Sequence, residues 1–139
     1  MPGCHNANNF LRSFDGESFA TQKSAHMEHY NTALGNFRGH PFALGSSTPR
    51  SKTIETFQDA KWNVLEPFPF VENYIFDYSF VTIDDALLLF GGWGDDRQQS
   101  IAAKFNGEWS RIGDLMEKRD GHRSLANSQF IYHIGGDDW

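Results

Sequence analysis

Short apolar runs broken by glycines and polar turns fill this chain, and none keeps a 3.6-residue apolar stripe for more than two turns. Strands are therefore expected. Leu87-Leu88-Leu89-Phe90 runs into Gly91-Gly92, and Ile131-Tyr132-His133-Ile134 runs into Gly135-Gly136, 44 residues later. After the first pair come Ile101 to Phe105, then Asn106-Gly107, then Glu108 to Ile112. This reads as strand, two-residue turn and strand, because Asn-Gly supplies the positive φ angles of a tight hairpin. Strands are predicted over roughly 101–105, 108–112, 122–126 and 129–134. Only Ile112 to Arg119 looks helical.

The same plan lies further upstream. Phe42-Ala43-Leu44-Gly45-Ser46 stands where Leu88 to Gly92 stands, with serine for the second glycine. Ser51 to Leu65 repeats the hairpin, with Phe57 for Phe105, a turn at 58–61 and Trp62 for Trp109. Phe14 to Phe19 repeats its centre once more. The register holds: Phe19 to Gly45 and Trp109 to Gly135 both span 26 residues, and Trp62 to Gly91 spans 29. Tyr78 and His122 each precede a glycine pair by 13 residues. Tyr30 to Ala33 would fill that place in the earliest copy, 15 before Gly45, with two extra turn residues. A repeat of 43–47 residues with four short strands selects a propeller over a sandwich or a barrel.

At these residues the chain resembles the kelch repeat. A basic residue and a histidine open the unit (Arg119, His122), four apolar residues lead into a double glycine, and an aromatic and a tryptophan follow (Phe105, Trp109). The similarity runs from about residue 9 and is strongest over 79–139. It implies an all-β, kelch-type β-propeller in part: two whole four-stranded blades, about 31–65 and 78–112, plus a half blade at each end. Residues 1–8 form a tail outside it. Gly45, Gly91, Gly92, Gly135 and Gly136 are then turn and close-approach positions, while Phe57, Trp62, Phe105 and Trp109 fill the space between sheets. About three blades fall short of the usual four to eight. A piece of a longer propeller is the favoured reading, over an open arc or a ring closed by two chains through their bare edges.

Composition narrows the partners. Aromatics make up 15% of the chain, with 13 Phe, and the net charge is -6 with basic residues scattered, so a phosphate backbone finds no basic stripe. The longest apolar run, Ala86 to Phe90, is far short of a membrane span. One cysteine, Cys4, excludes an internal disulfide and leaves the compartment open, cytoplasmic or secreted.

Candidate chemistry is thin. His26-Met27-Glu28-His29 places two histidines three apart without the HExxH order or a spaced third ligand, and reads as a turn. Cys4-His5 precedes the recognisable repeats, so the cysteine-centred copper site of kelch-like oxidases does not carry over. Asp84-Asp85, Asp95-Asp96 and Asp137-Asp138 read as turn residues. No catalytic residue, metal or cofactor is assigned. The expected function is a non-catalytic protein-protein interaction module, a scaffold or adaptor, with Tyr78, Trp93, Arg97, Arg123 and Trp139 as rim contacts. A propeller-based enzyme, or a lectin stacking Trp93 and Trp139 on sugar rings, is the alternative.

Overall fold

A computed structural model describes residues 11–137, so Cys4, the 1–8 tail, Asp138 and Trp139 lie outside the described residues. The fold is all-β, with fourteen strands and no helix among the described residues. None is therefore long and apolar enough to cross a membrane. Two four-stranded antiparallel meanders form the middle. The first joins β3 (Leu34–Phe37), β4 (His40–Ser47), β5 (Arg50–Gln58) and β6 (Lys61–Leu65). The second joins β7 (Ser79–Ile83), β8 (Ala86–Phe90), β11 (Ile101–Phe105) and β12 (Trp109–Asp114), with the ribbon β9 (Trp93–Gly94) and β10 (Arg97–Gln98) looped from its middle. A hairpin of β1 (Arg12–Phe14) and β2 (Phe19–Thr21) precedes them, and one of β13 (Arg123–Ala126) and β14 (Ile131–Ile134) follows.

Repeated backbone bonds tie these sheets together. The Asp77 N–H donates to Asn31 O and the Gly121 N–H to Asp77 O, both at 2.8 Å, and all three residues hold positive φ. The Ser47, Trp93 and Asp137 N–H groups likewise donate to the carbonyls of Tyr30, Phe76 and Asp120. These bonds correct the earliest copy: Thr32, not Tyr30, stands in the place of Tyr78 and His122. Thr32 lies 13 before Gly45, so no insertion is needed. A shared left-handed residue just before that place, and not a shared side chain, marks the position.

The outer hairpins differ in their turns. Phe57 pairs with Trp62 across a two-residue turn whose Asp59 and Ala60 both have positive φ. Phe105 pairs with Trp109 across three residues, Asn106 to Glu108, with only Gly107 at positive φ. The two-residue Asn-Gly turn is thus replaced by a three-residue loop with glycine at its left-handed position. Phe14 and Phe19 face each other over a four-residue turn in which Asp15 Oδ1 accepts from the Glu17 and Ser18 N–H groups, each at 2.9 Å. Each hairpin carries a cross-strand aromatic pair, with ring centroids 4.7–5.4 Å apart. The expected helix at 112–119 is absent: 112–114 continue β12, because Ala102 pairs with Gly113 and Ile101 with Asp114 beyond a bulge.

The core lies between the faces of successive sheets. Phe42, Leu44 and Ile54 of the first whole sheet pack on Leu87, Leu89, Ala103 and Phe105 of the second. Val81, Leu88, Phe90 and Ala102 on the other face of the second sheet meet Ala126 and Ile131 of the last hairpin. On the far side of the first sheet, Ala43, Trp62 and Phe57 meet Leu11. Glycines admit the connecting segments. A Cβ on Gly45 would lie 2.0 Å from Ile75 O, and one on Gly91 2.4 Å from Arg119 O. Gly45→Ala should therefore cost more than about 3 kcal/mol, as overpacking against rigid backbone adds to left-handed strain. Gly39→Ala, also left-handed but with nothing within 4 Å, should cost about 1 kcal/mol. Urea unfolding of the two variants checks this, and equal costs would refute the close approach.

Candidate functional site

A cleft of about 810 Å³ opens between the two whole sheets. Phe37 at the end of β3, Phe105 at the end of β11 and Trp109 at the start of β12 supply its aromatic lining, together with Leu65, Pro67 and Pro69. The proline spacing explains the loop: Glu66-Pro67-Phe68-Pro69 stays extended, which turns Phe68 into the core while the prolines line the opening. Phe37 stands edge-on to Phe105 at 4.8 Å, and Trp109 edge-on to Phe68 at 4.8 Å. Both signs of charge border the cleft, Arg38 and His40 against Glu66 and Glu108. Arg38 lies over the Phe37 ring at 4.8 Å and donates from Nη2 to Asn106 O at 3.2 Å, which ties two turns together across the opening. The Trp109 indole N–H is buried without a hydrogen-bond partner in the protein.

A second polar feature lies where the second whole sheet meets the last hairpin. His122 is fully buried. Its Nε2 lies 2.9 Å from Ser79 Oγ, Ser79 Oγ bonds Ser124 Oγ, and Ser124 Oγ lies 2.6 Å from His133 Nδ1. The chain of groups thus runs from the core to the half-buried His133. Nδ1 of His122 has no partner. Burial, then the charges of His133, Arg119 and Arg123, hold the His122 ring down at about 4. Burial and Arg119 also lower His133.

The third feature fixes the segment before β3. Glu55 is fully buried in β5 at the position that Ala103 holds in the next sheet. Its carboxylate accepts from the His26 and Met27 N–H groups at 2.9 and 3.0 Å, and lies 2.7 Å from His26 Nδ1 and 2.9 Å from His29 Nε2. Burial acts to raise its pKa, and the bonds from His29, His26 and Met27 together outweigh it, leaving Glu55 below the ordinary carboxylate range. The His26–His29 turn is therefore a clamp on a buried acid. Among the described residues no group of three or more His, Cys, Asp or Glu is placed to hold a metal ion.

The rim residues expected from sequence do not line the large cleft. Tyr78 is buried in the core, and its hydroxyl donates to Leu44 O at 2.5 Å, so it is withdrawn from any surface. Burial pushes that hydroxyl's pKa well up. Trp93 is partly buried in the β9 ribbon, with its backbone paired to Phe76. Arg97 is exposed on β10, and Arg123 is exposed at the start of β13, donating to His122 O at 3.0 Å. These residues are not brought together. Of the aromatic and glycine positions, Phe105 and Trp109 line the cleft, Phe57 and Trp62 pack on the first hairpin's side, and Gly92 donates its N–H to Arg119 O at 2.9 Å. Gly135 meets nothing within 4 Å, while Gly136 abuts Asp120 O and His122. The acidic turns serve the backbone: Asp95 accepts from the N–H groups of Glu72 at 2.6 Å and Asn73 at 2.8 Å.

No protein family and no curated protein matches the chain. Among solved structures, one described as "Structure of YjhT" is similar to it over 94% of this chain, with a TM-score of 0.78 and 18% identity. This chain spans 45% of that one. At that identity the likeness shows the fold alone.

The buried histidine makes stability depend on pH. The unfolded chain takes up a proton at His122 near pH 6.5, and the folded chain does so only near 4. Stability should thus fall by about 3 kcal/mol as pH drops from 6.5 to about 4, then level off for this group. His133 adds to the loss. Glu55, with its lowered pKa, contributes stability above pH 4.5 that is lost only below it. Urea unfolding at pH 7 and 4.5 should show a smaller loss for His122→Gln than for the native chain, and equal losses would sink the assignment.

Proposed function

We propose that this chain is about half of a kelch-type β-propeller and acts as a non-catalytic protein-interaction module. Support for the propeller comes from the strand meanders that recur with the glycine and aromatic register, and from the likeness in fold to a chain about twice as long. In this reading the two whole sheets are blades. The hairpins at either end are the outer and the inner half of further blades.

The observation that carries the binding function is the cleft between the blades. Its size falls in the range that takes a few side chains, roughly 300–1,000 Å³. Aromatic rings and prolines line it together, so an apolar side chain of an extended peptide would be desolvated there. Arg38, His40, Glu66 and Glu108 at its border would orient flanking charges of both signs. The buried, unpartnered indole N–H of Trp109 adds a donor that a peptide carbonyl would satisfy after a small shift of the wall.

A displayed library of random peptides tests this reading. Sequences with one large apolar residue between charged neighbours should be enriched. Their affinity should fall at least tenfold in Arg38→Asn and in Glu108→Lys, both surface changes that leave the circular dichroism spectrum intact. Asparagine is chosen because Arg38 holds positive φ. Enrichment no better than on an unrelated protein, or binding indifferent to both variants, would overturn it.

A further inference from the structure

The connection that leads into each whole sheet makes a turn whose two N–H groups bind a carboxylate, and the two sheets supply that carboxylate differently. In the second connection the Glu72 and Asn73 N–H groups donate to Asp95, which is partly exposed in the turn of the β9–β10 ribbon. The repeat that aligns Gly45 with Gly91 aligns His26 and Met27 with those two residues, and His29 with Ile75. In the first connection the His26 and Met27 N–H groups donate to Glu55, whose side chain is fully buried. Water shares the charge of Asp95. It does not reach Glu55, and a buried charge is paired.

Hydrogen-bond accounting identifies the partner. Nδ1 of His29 lies 2.9 Å from Gly45 O, which only accepts, so this nitrogen carries a hydrogen. Nε2 lies 2.9 Å from Glu55 Oε2, so both ring nitrogens face oxygen acceptors. A neutral imidazole has one N–H and satisfies only one of them. The side chain is 9% exposed, which leaves it little water for the other bond. One further proton therefore sits between His29 and Glu55. The carboxylate already accepts a backbone N–H on each oxygen, and Oε1 also lies 2.7 Å from His26 Nδ1. These donors favour the ionised acid, which leaves the proton on the imidazole. Neighbouring charges do not take this role. On β5 Arg50 pairs with Asp96, and Lys52 Nζ donates to Val71 O. Lys23 and Glu28 of the connection, His40 on β4, Lys61 on β6 and Arg12 on β1 supply none of the carboxylate's bonds.

We infer that His29 is held as an imidazolium, bonded at once to Glu55 and to Gly45 O, and that this charge is a pH-sensitive latch closing the 22–33 connection onto the first whole sheet. The latch meets the next connection at one residue, since Ile75 O packs against the Cα of the same Gly45. Its proton fixes the sign of the pH dependence. Above about pH 6.5 the unfolded chain has a neutral histidine and an ionised glutamate at these positions, so folding takes up one proton. The latch therefore stabilises fully below about pH 6.5 and is lost as the pH rises. His122 and His133 act with the opposite sign and only below about that pH, so the two windows are separate.

Nitrogen NMR of the assigned imidazole rings in the full chain tests this at pH 8. Both His29 nitrogens should be protonated in the native chain. In Glu55→Gln the amide NH2 donates to Nε2, so His29 needs one proton only and Nε2 should become bare. Urea unfolding between pH 7 and 9 gives an independent reading. The folding constant of the native chain should fall by up to about tenfold per pH unit, and Glu55→Gln should lose that part of the fall. A bare His29 nitrogen in the native chain at pH 8 overturns the inference, and so do equal slopes in the two proteins. If Glu55→Gln does not fold, the nitrogen spectrum of the native chain decides by itself.

Discussion

Backbone packed on backbone at the glycine that follows the apolar run of each second strand is the constraint on which the arrangement of sheets depends. At Gly45 and Gly91 the chain turns with positive φ, and the segment leading to the following sheet crosses directly over it, so closely that a Cβ would overlap a carbonyl oxygen. The contact fixes where each connection crosses its own sheet. It thereby fixes how far the next sheet sits from the last, and the apolar faces of Phe42, Leu44 and Ile54 and of Leu87, Leu89 and Ala103 close at side-chain distance. The bonds from Asp77 to Asn31 and from Gly121 to Asp77 hold the innermost strands in step. Sheet spacing is thus set by main chain, and side chains fill what remains.

That division explains why equivalent positions carry different chemistry. Thr32, Tyr78 and His122 share one place. Tyr78 satisfies it by donating across to Leu44 O, and His122 by bonding Ser79 while leaving one ring nitrogen unpaired. Glu55 and Ala103 also share a place, and the buried carboxylate draws the His26–His29 turn down as a lid of donors. Both polar exceptions sit beside connecting segments. Each exchanges apolar burial, which is indifferent to pH, for bonds that acid disrupts.

The all-β class and the unit boundaries were legible in the sequence because glycine pairs and the Phe-Trp hairpins recur, and those residues answer to backbone geometry and sheet packing. The misplacement of the earliest copy has the same root. Tyr30 looked like Tyr78, yet the conserved feature was the left-handed residue, Asn31, Asp77 or Gly121, which three residue types can supply. Ile112 to Arg119 looked helical because β12 is exposed on both faces from Ser110 to Asp114 and so shows no apolar alternation. The cleft was illegible for a different reason: it joins Phe37 of one unit, the 66–69 loop between units and the 106–108 turn of the next, a meeting that no single repeat position records. Only the alternation of prolines in Glu66-Pro67-Phe68-Pro69 signalled a fixed, extended wall.

Exposed apolar residues scattered over a surface would need no explanation, since soluble proteins carry many. Beside scattered ones such as Leu34, Val64 and Met116, a subset here falls at repeat positions. Leu125, Tyr132 and Ile134 lie on one face of the last hairpin, Phe14 and Phe19 on the first, and the matching residues of the whole sheets are covered. A sequence under selection for an isolated arc would be expected to put charge at such edges, as natural edge strands do. This chain keeps them apolar and in register with the interior contacts. The end hairpins thus carry, at matching positions, the residue classes that form the core between the whole sheets.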